Sequence, residues 1–400
     1  MFSYLKLHRK TGAVLSLPLF LLTVSNVNAG QAQKITAGPL DITPTLNITQ
    51  NSNSNIYSAG SNETSSNISV VNPGILAEIV SGDSLYTLDA QLFEGNNSQD
   101  SDDDYTDYSI AATADIALYE SNMLSLGASI SGNHEDRGSG VTQGTTSFTT
   151  PVEFNKNIFS AGYTIGSDVS IYRLQLNAGL EDTEYTNFKL FTASRNYGKQ
   201  DLSATLFYKI SSMTDALVEY NTAEFDYDVD LGIFDRSGNQ NKVLFGATWQ
   251  ATGNTAGTIK IGNVHKSFDG SSRKSFSGST WEAQVNWTPK EQTLVTVNSS
   301  HTPRETSTGG SFIESASTGA NWIQSWTSSV STTVSASVGE DDYVGSSRKD
   351  DLTNYGISLD YEFRRWMTIG LTYESTDSDS NNDTFDYDRN IVGLTANISL

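Results

Sequence analysis

Between Ile42 and Leu400 an apolar side chain recurs at every second position, segment after segment. The closing stretch, NIVGLTANISL, sets Val392, Leu394, Ala396, Ile398 and Leu400 on one face and Gly393, Thr395, Asn397 and Ser399 on the other. Side chains of a strand alternate faces with period two, so such a segment is oily on one side and wet on the other. MTIGLTYE repeats the pattern with Met367, Ile369, Leu371 and Tyr373, and WEAQVNW repeats it with Trp281, Ala283, Val285 and Trp287. About eighteen such segments can be read, where a chance amphipathic strand would be sporadic. A single one would suit a soluble sandwich equally well.

The connections alternate too. Short turns at Ser81–Asp83, Gly166–Asp168, Ser211–Asp215, Pro289–Gln292 and Arg364–Arg365 are interleaved with longer polar stretches. These include GNNSQDSDDD, EDTEYTNFKLFTASRNYG, GEDDYVGSSRKDD and STDSDSNNDTFD. Short periplasmic turns and long outer loops are the asymmetry of outer-membrane barrels. In lipid every backbone N–H and C=O must be paired, which only a helix or a closed sheet achieves. The expectation is therefore an all-β fold, a transmembrane up-and-down antiparallel β-barrel of about 18 strands (16–18). Trp249, Trp281, Trp287, Trp322, Trp366 and Tyr361 lie at or near segment ends, where interfacial girdles belong. A soluble β-solenoid is the competing fold, but it would repeat residues as well as pattern.

The start of the chain supplies an address. Lys6, Arg9 and Lys10 precede an apolar stretch from Ala13 to Val24 and a small-residue site at Val27-Asn28-Ala29. This reads as a secretory signal peptide over residues 1–29, with one barrel domain over 30–400 and a bacterial outer-membrane destination. A short membrane anchor is the alternative, although the apolar stretch is too short to span a bilayer. Cysteine is absent, which excludes disulfides, thiolate metal ligands and Cys nucleophiles. Net charge is −22, and loss of Lys6, Arg9 and Lys10 takes it to −25. Such acidity argues against a nucleic-acid partner, which would require clustered Lys and Arg.

Catalytic signals are weak. His134, His265 and His301 are scattered, and no Ser/His/Asp grouping, HExxH or phosphate loop can be read. No enzyme activity and no cofactor are expected. Asp377, Asp379 and Asn381 open like a calcium loop, yet Asn382 holds the glycine position and Asp388 the bidentate glutamate position. That stretch, like SDDDY at Asp102–Asp104, is better read as a solvated loop. The functional inventory is then the face opposite the apolar one. By parity it holds Asp89, Asp115, Arg173, Gln175, Asn177, Lys209, Glu219, Lys242, Lys260, Glu282, Gln284, Asn286, Asp360 and Glu362 as pore-lining candidates. Six carboxylates against four bases predict a weak cation preference. The stretch EDTEYTNFKLFTASRNYG and the loop near Gly138–Ser147 are long enough to fold inward and plug such a lumen.

Two end segments carry a resemblance. ITPTLNITQNSNSNIY, followed by NPGILAEI at Asn72–Ile79, and FDYDRNIVGL at Phe385–Leu394 are similar to segments of the bacterial family called putative β-barrel porin 2. Members of that family often sit among genes for exopolysaccharide or capsule synthesis. The resemblance implies an outer-membrane β-barrel that assists polysaccharide export or the passage of hydrophilic saccharides. It brings no catalytic residues. The alternative is a non-conducting structural or binding barrel whose acidic loops contact surface polysaccharide or partner proteins. Expected partners are outer-membrane lipid and lipopolysaccharide, the barrel-assembly machinery, and polysaccharide or its export machinery.

Overall fold

A computed structural model describes residues 34–399, apart from Glu120, Thr146, Thr252 and Gly253. The expected signal peptide lies outside the described residues. A short strand, β1 (Ile35–Ala37), pairs with the start of β2. Eighteen strands then form a ring: β2 (Leu40–Asn53), β3 (Ser66–Ser81), β4 (Ser84–Asn97), β5 (Tyr105–Leu118), β6 (Asn122–Glu135), β7 (Val152–Ile165), β8 (Tyr172–Tyr185), β9 (Tyr197–Ser211) and β10 (Thr214–Tyr227) make one half. The other half is β11 (Gly238–Ala251), β12 (Thr255–Phe268), β13 (Phe276–Lys290), β14 (Thr293–Arg304), β15 (Phe312–Ser325), β16 (Val330–Val344), β17 (Lys349–Arg364), β18 (Met367–Ser380) and β19 (Tyr387–Ser399).

Each strand pairs antiparallel with its sequence neighbour, and β19 returns to β2, from Ile391 opposite Asn53 to Ser399 opposite Thr45. The sheet is thus closed, and the edges that would invite aggregation are gone. The start of β2 and the end of β19 lie at the rim that carries the short turns.

The two faces sort as the alternation predicts. On β17 Tyr355, Ile357, Leu359, Tyr361 and Phe363 share one face and are all exposed. On the same face Leu371 of β18 sits opposite Leu394 of β19, and both are more than half exposed. Uncovered apolar side chains around a closed sheet are what a hydrocarbon surround requires. The band ends abruptly toward the long-loop rim, where Leu92 gives way to Glu94, Leu180 to Asp182 and Val338 to Glu340 at successive outer positions. Trp281, five residues inside β13, marks that upper limit, while Trp287 lies near the lower one.

The polar stretches are shorter as loops than the sequence suggests. Ring strands run from 12 to 16 residues, beyond the 9–11 or so that a bilayer needs. The EDTEY and YG ends of EDTEYTNFKLFTASRNYG belong to β8 and β9, and GEDDYVGSSRKDD leaves only residues 345–348 between β16 and β17. The reason is physical. Above the lipid both faces of a strand meet water, so the alternation that reveals a strand disappears. Asp377 and Asp379 are accordingly on β18, with Asp377 opposite Asp388 and Asp379 opposite Asp351, rather than in the solvated loop that the sequence suggests. Among the described residues no cluster of His, Asp and Glu is arranged to hold a metal ion.

Candidate functional site

The register puts the fourteen sequence-derived candidates on the face opposite the apolar band, and the hydrogen bonds among them follow that face. Lys260 of β12 lies between two carboxylates, with Nζ 3.1 Å from Glu219 of β10 and 2.6 Å from Glu282 of β13. Lys242 of β11 shares Glu282 at 3.0 Å. Lower on the same wall Asp215 joins Lys209 and Arg173, each at 3.4 Å, and the Arg173 guanidinium stacks 4.2 Å over the Phe207 ring. Higher up, Lys156 meets Glu181 at 2.7 Å and Lys199 meets Asp201 at 3.2 Å. Asn177 donates to Ser203 at 3.1 Å, and Asn286 accepts from Thr296 at 2.8 Å. Gln175 lies opposite Thr205, and Gln284, opposite Asn298, is exposed on this inner face.

What sequence parity could not show is how these charges divide around the ring. The basic groups fall on one arc, β7 to β12, each beside a carboxylate. No Lys or Arg occurs between Lys34 and Arg137. On the inner face of the remaining strands, the described bases are Arg304 and Arg389, both near the long-loop rim. That second arc holds carboxylates without lysine partners: Asp89 accepts from Gln91, Asp115 from Ser125 and Asp360 from Ser358, with Glu362 nearby on β17. Amides and hydroxyls fill the rest, including Asn47 with Asn397 and Thr376 with Asn354. A paired basic arc facing an unpaired acidic arc sets up a field across the barrel, strengthened by the low dielectric of its wall.

The long-loop mouth is partly covered. The described residues of 136–151, between β6 and β7, turn inward, with Val141 and Phe148 packed on Val152 and Tyr185 of the inner wall. Tyr185 donates to Glu135 at 2.9 Å, and Glu135 also accepts the Val141 N–H. The root of the loop is clamped by Arg137, which contacts Asp100 and Asp103 and lies 4.6 Å over the Tyr57 ring. Burial, and then the hydrogen bond to Asp103, push the Tyr57 hydroxyl up to about 12, so it stays a donor. Asp103 itself is buried, which corrects the reading of SDDDY as a wholly solvated loop. Gly138 adopts φ +83° with its Cα against the Tyr57 carbonyl, where a Cβ would sit 1.7 Å from that oxygen. At its tip the loop reaches the far side of the ring, where Gln143 accepts from Arg348 at 3.0 Å and Gly144 lies against Phe385. Of the two stretches expected to be able to fold inward, this one crosses the mouth.

A closed eighteen-strand sheet with an apolar outside and a charged, polar inside is the form of a porin. The family model described as Putative beta-barrel porin 2 matches residues 28–400. The chain belongs to that family. The family and the barrel together imply an outer-membrane location. None of the curated proteins compared with it is a significant match. Among solved structures, OpdK of Pseudomonas aeruginosa is 12% identical with a TM-score of 0.49, over 90% of this chain and 99% of that one. The FrpB iron transporter of Neisseria meningitidis is 11% identical with a TM-score of 0.49, over 90% and 82%. OccAB3 of Acinetobacter baumannii is 10% identical with a TM-score of 0.47, over 91% and 100%.

In this porin-family barrel, sequence parity leaves out Lys156, Glu181, Lys199, Asp201, Asp215 and Lys266. All stand on inner positions of β7 to β12. The signal was obscured because the upper inner wall there is apolar as well as charged. Phe154 and Val152 pack under the inward loop, while Phe225 and Tyr227 pack with Tyr197. An inner face with its own small core no longer alternates cleanly. Counting Lys and Arg between the strands would still have shown that the first five ring strands carry none.

Proposed function

We propose that this barrel is an outer-membrane pore for hydrophilic solutes, saccharides foremost, lined by Asp89, Asp115, Arg173, Gln175, Asn177, Lys209, Glu219, Lys242, Glu282, Gln284, Asn286, Asp360 and Glu362. The observation that carries the reading is the polar inner wall, with Gln284 exposed on it. Amides and hydroxyls there can exchange hydrogen bonds with sugar hydroxyls, much as water does. The family resemblance supports a saccharide or polysaccharide cargo. Lysine-paired carboxylates on one arc and lysine-free carboxylates on the other favour a weak preference for cations.

Liposome swelling tests the pore. Proteoliposomes should swell in arabinose and glucose and progressively more slowly in sucrose and stachyose. Swelling no faster than in empty liposomes would overturn an open pore. A second reading has its own support in the loop that crosses the mouth: a closed barrel that binds surface polymer or partner proteins. Swelling that appears only after Gly138–Ser147 is deleted would favour it.

A further inference from the structure

Beneath the outer mouth, two arginines each bury an Nε that no side chain or carbonyl engages, and one of them has no carboxylate partner among the described residues. Arg195, in the turn between β8 and β9, makes no hydrogen bond or ion pair with the described residues, and its Nε is buried without a partner. Arg236, between β10 and β11, is 8% exposed. It donates to the Thr306 carbonyl at 2.7 Å, stacks 4.5 Å over Tyr227 and lies 3.8 Å from Glu305, yet its Nε is also unpartnered. Glu305 is already engaged by Lys266 at 2.6 Å and by the Tyr227 hydroxyl. Glu135 is turned to Tyr185 and the Val141 amide. Arg273, nearby, is held by the carbonyls of Phe234 and Gly310. Burial, together with the Arg236 charge, lowers the Arg195 pKa from the ordinary guanidinium value.

Two neighbouring guanidinium groups with buried, idle donors are costly unless an anion visits them. We infer that Arg195 and Arg236 form a docking site for a carboxylate at the outer mouth, a planar two-oxygen anion that matches the guanidinium fork. That the carboxylate belongs to an acidic sugar rests on the saccharide reading above.

Calorimetric titration of the detergent-folded protein at low salt tests the site without requiring conduction. Sodium glucuronate should bind, and Arg195→Gln should weaken it by about tenfold or more, while Arg195→Lys, which keeps the charge but loses the fork, should lose less. Lys349→Gln, an exposed rim lysine, should change little. Heat-modifiable migration in gels shows whether each variant is folded. Acetate binding with the same dependence on Arg195 would support the carboxylate site and show that the sugar ring adds nothing. Tighter binding of inorganic phosphate, equal binding of uncharged glucose, no binding at all, or indifference to folded Arg195→Gln would each overturn the assignment. A protein that binds glucuronate but fails to swell liposomes would reject the pore and leave the site standing.

Discussion

Lys260 shows how much a single side chain can decide here. It stands between Glu219 and Glu282, so removing it leaves Glu219 without its lysine and Glu282 with Lys242 alone. Lys260→Met should increase selectivity for potassium over chloride, whereas Glu282→Gln, which leaves Lys242 without its carboxylate and Lys260 with Glu219 alone, should reduce or reverse it. Zero-current potentials of the two variants under a salt gradient check the pair, and a shift of both in the same direction would contradict the assigned wall. The effect should fade as salt rises, because charges in a wet passage are screened over about 10 Å at 0.1 M. Alternation along the strands was enough to place Lys260 and Glu282 on one face. It could not show that they touch, because cross-strand partners depend on register. Arg195 was harder still, since it sits in a turn that has no period.

At the scale of one strand the claim is face specificity. Leu394→Arg on the outer face of β19 should cost about 2–4 kcal/mol near the bilayer midplane, while Thr395→Arg, pointing inward, should be accommodated. Unfolding titrations in lipid vesicles measure both, and equal losses would mean the register is wrong. Thr368 is a poorer inner-face control, being 4% exposed and without room for a long side chain. At the scale of one loop, deletion of Gly138–Ser147 should raise single-channel conductance, because Val141 and Gln143 then no longer cover the mouth. Unchanged conductance would show that the current passes elsewhere. Within the bilayer the strands were legible because lipid on one side and water on the other force opposite chemistry on alternate residues. Asp377 and Asp379 were misplaced into a loop because above the lipid that contrast vanishes. The crossing of the mouth was foreseen only as a possibility of length, since the contacts that fix it, Gln143 to Arg348 and Gly144 to Phe385, join segments far apart in sequence.

Over the whole molecule, closure between β19 and β2 turns a repetitive sequence into a sealed wall, with a basic arc and an acidic arc inside it. Length, alternation and the uneven turns were sufficient to indicate the ring. The division of charge around it needed the strand order as well, because neighbouring arcs are separated by long stretches of chain. If the lumen is open, ions should pass it in unit steps and cations should pass more readily. The direct measurement is current through the purified protein in a planar bilayer separating concentrated from dilute KCl. Discrete steps with a zero-current potential that makes the dilute side positive are the predicted result, and either steps with the opposite polarity or a silent bilayer containing folded protein would contradict it.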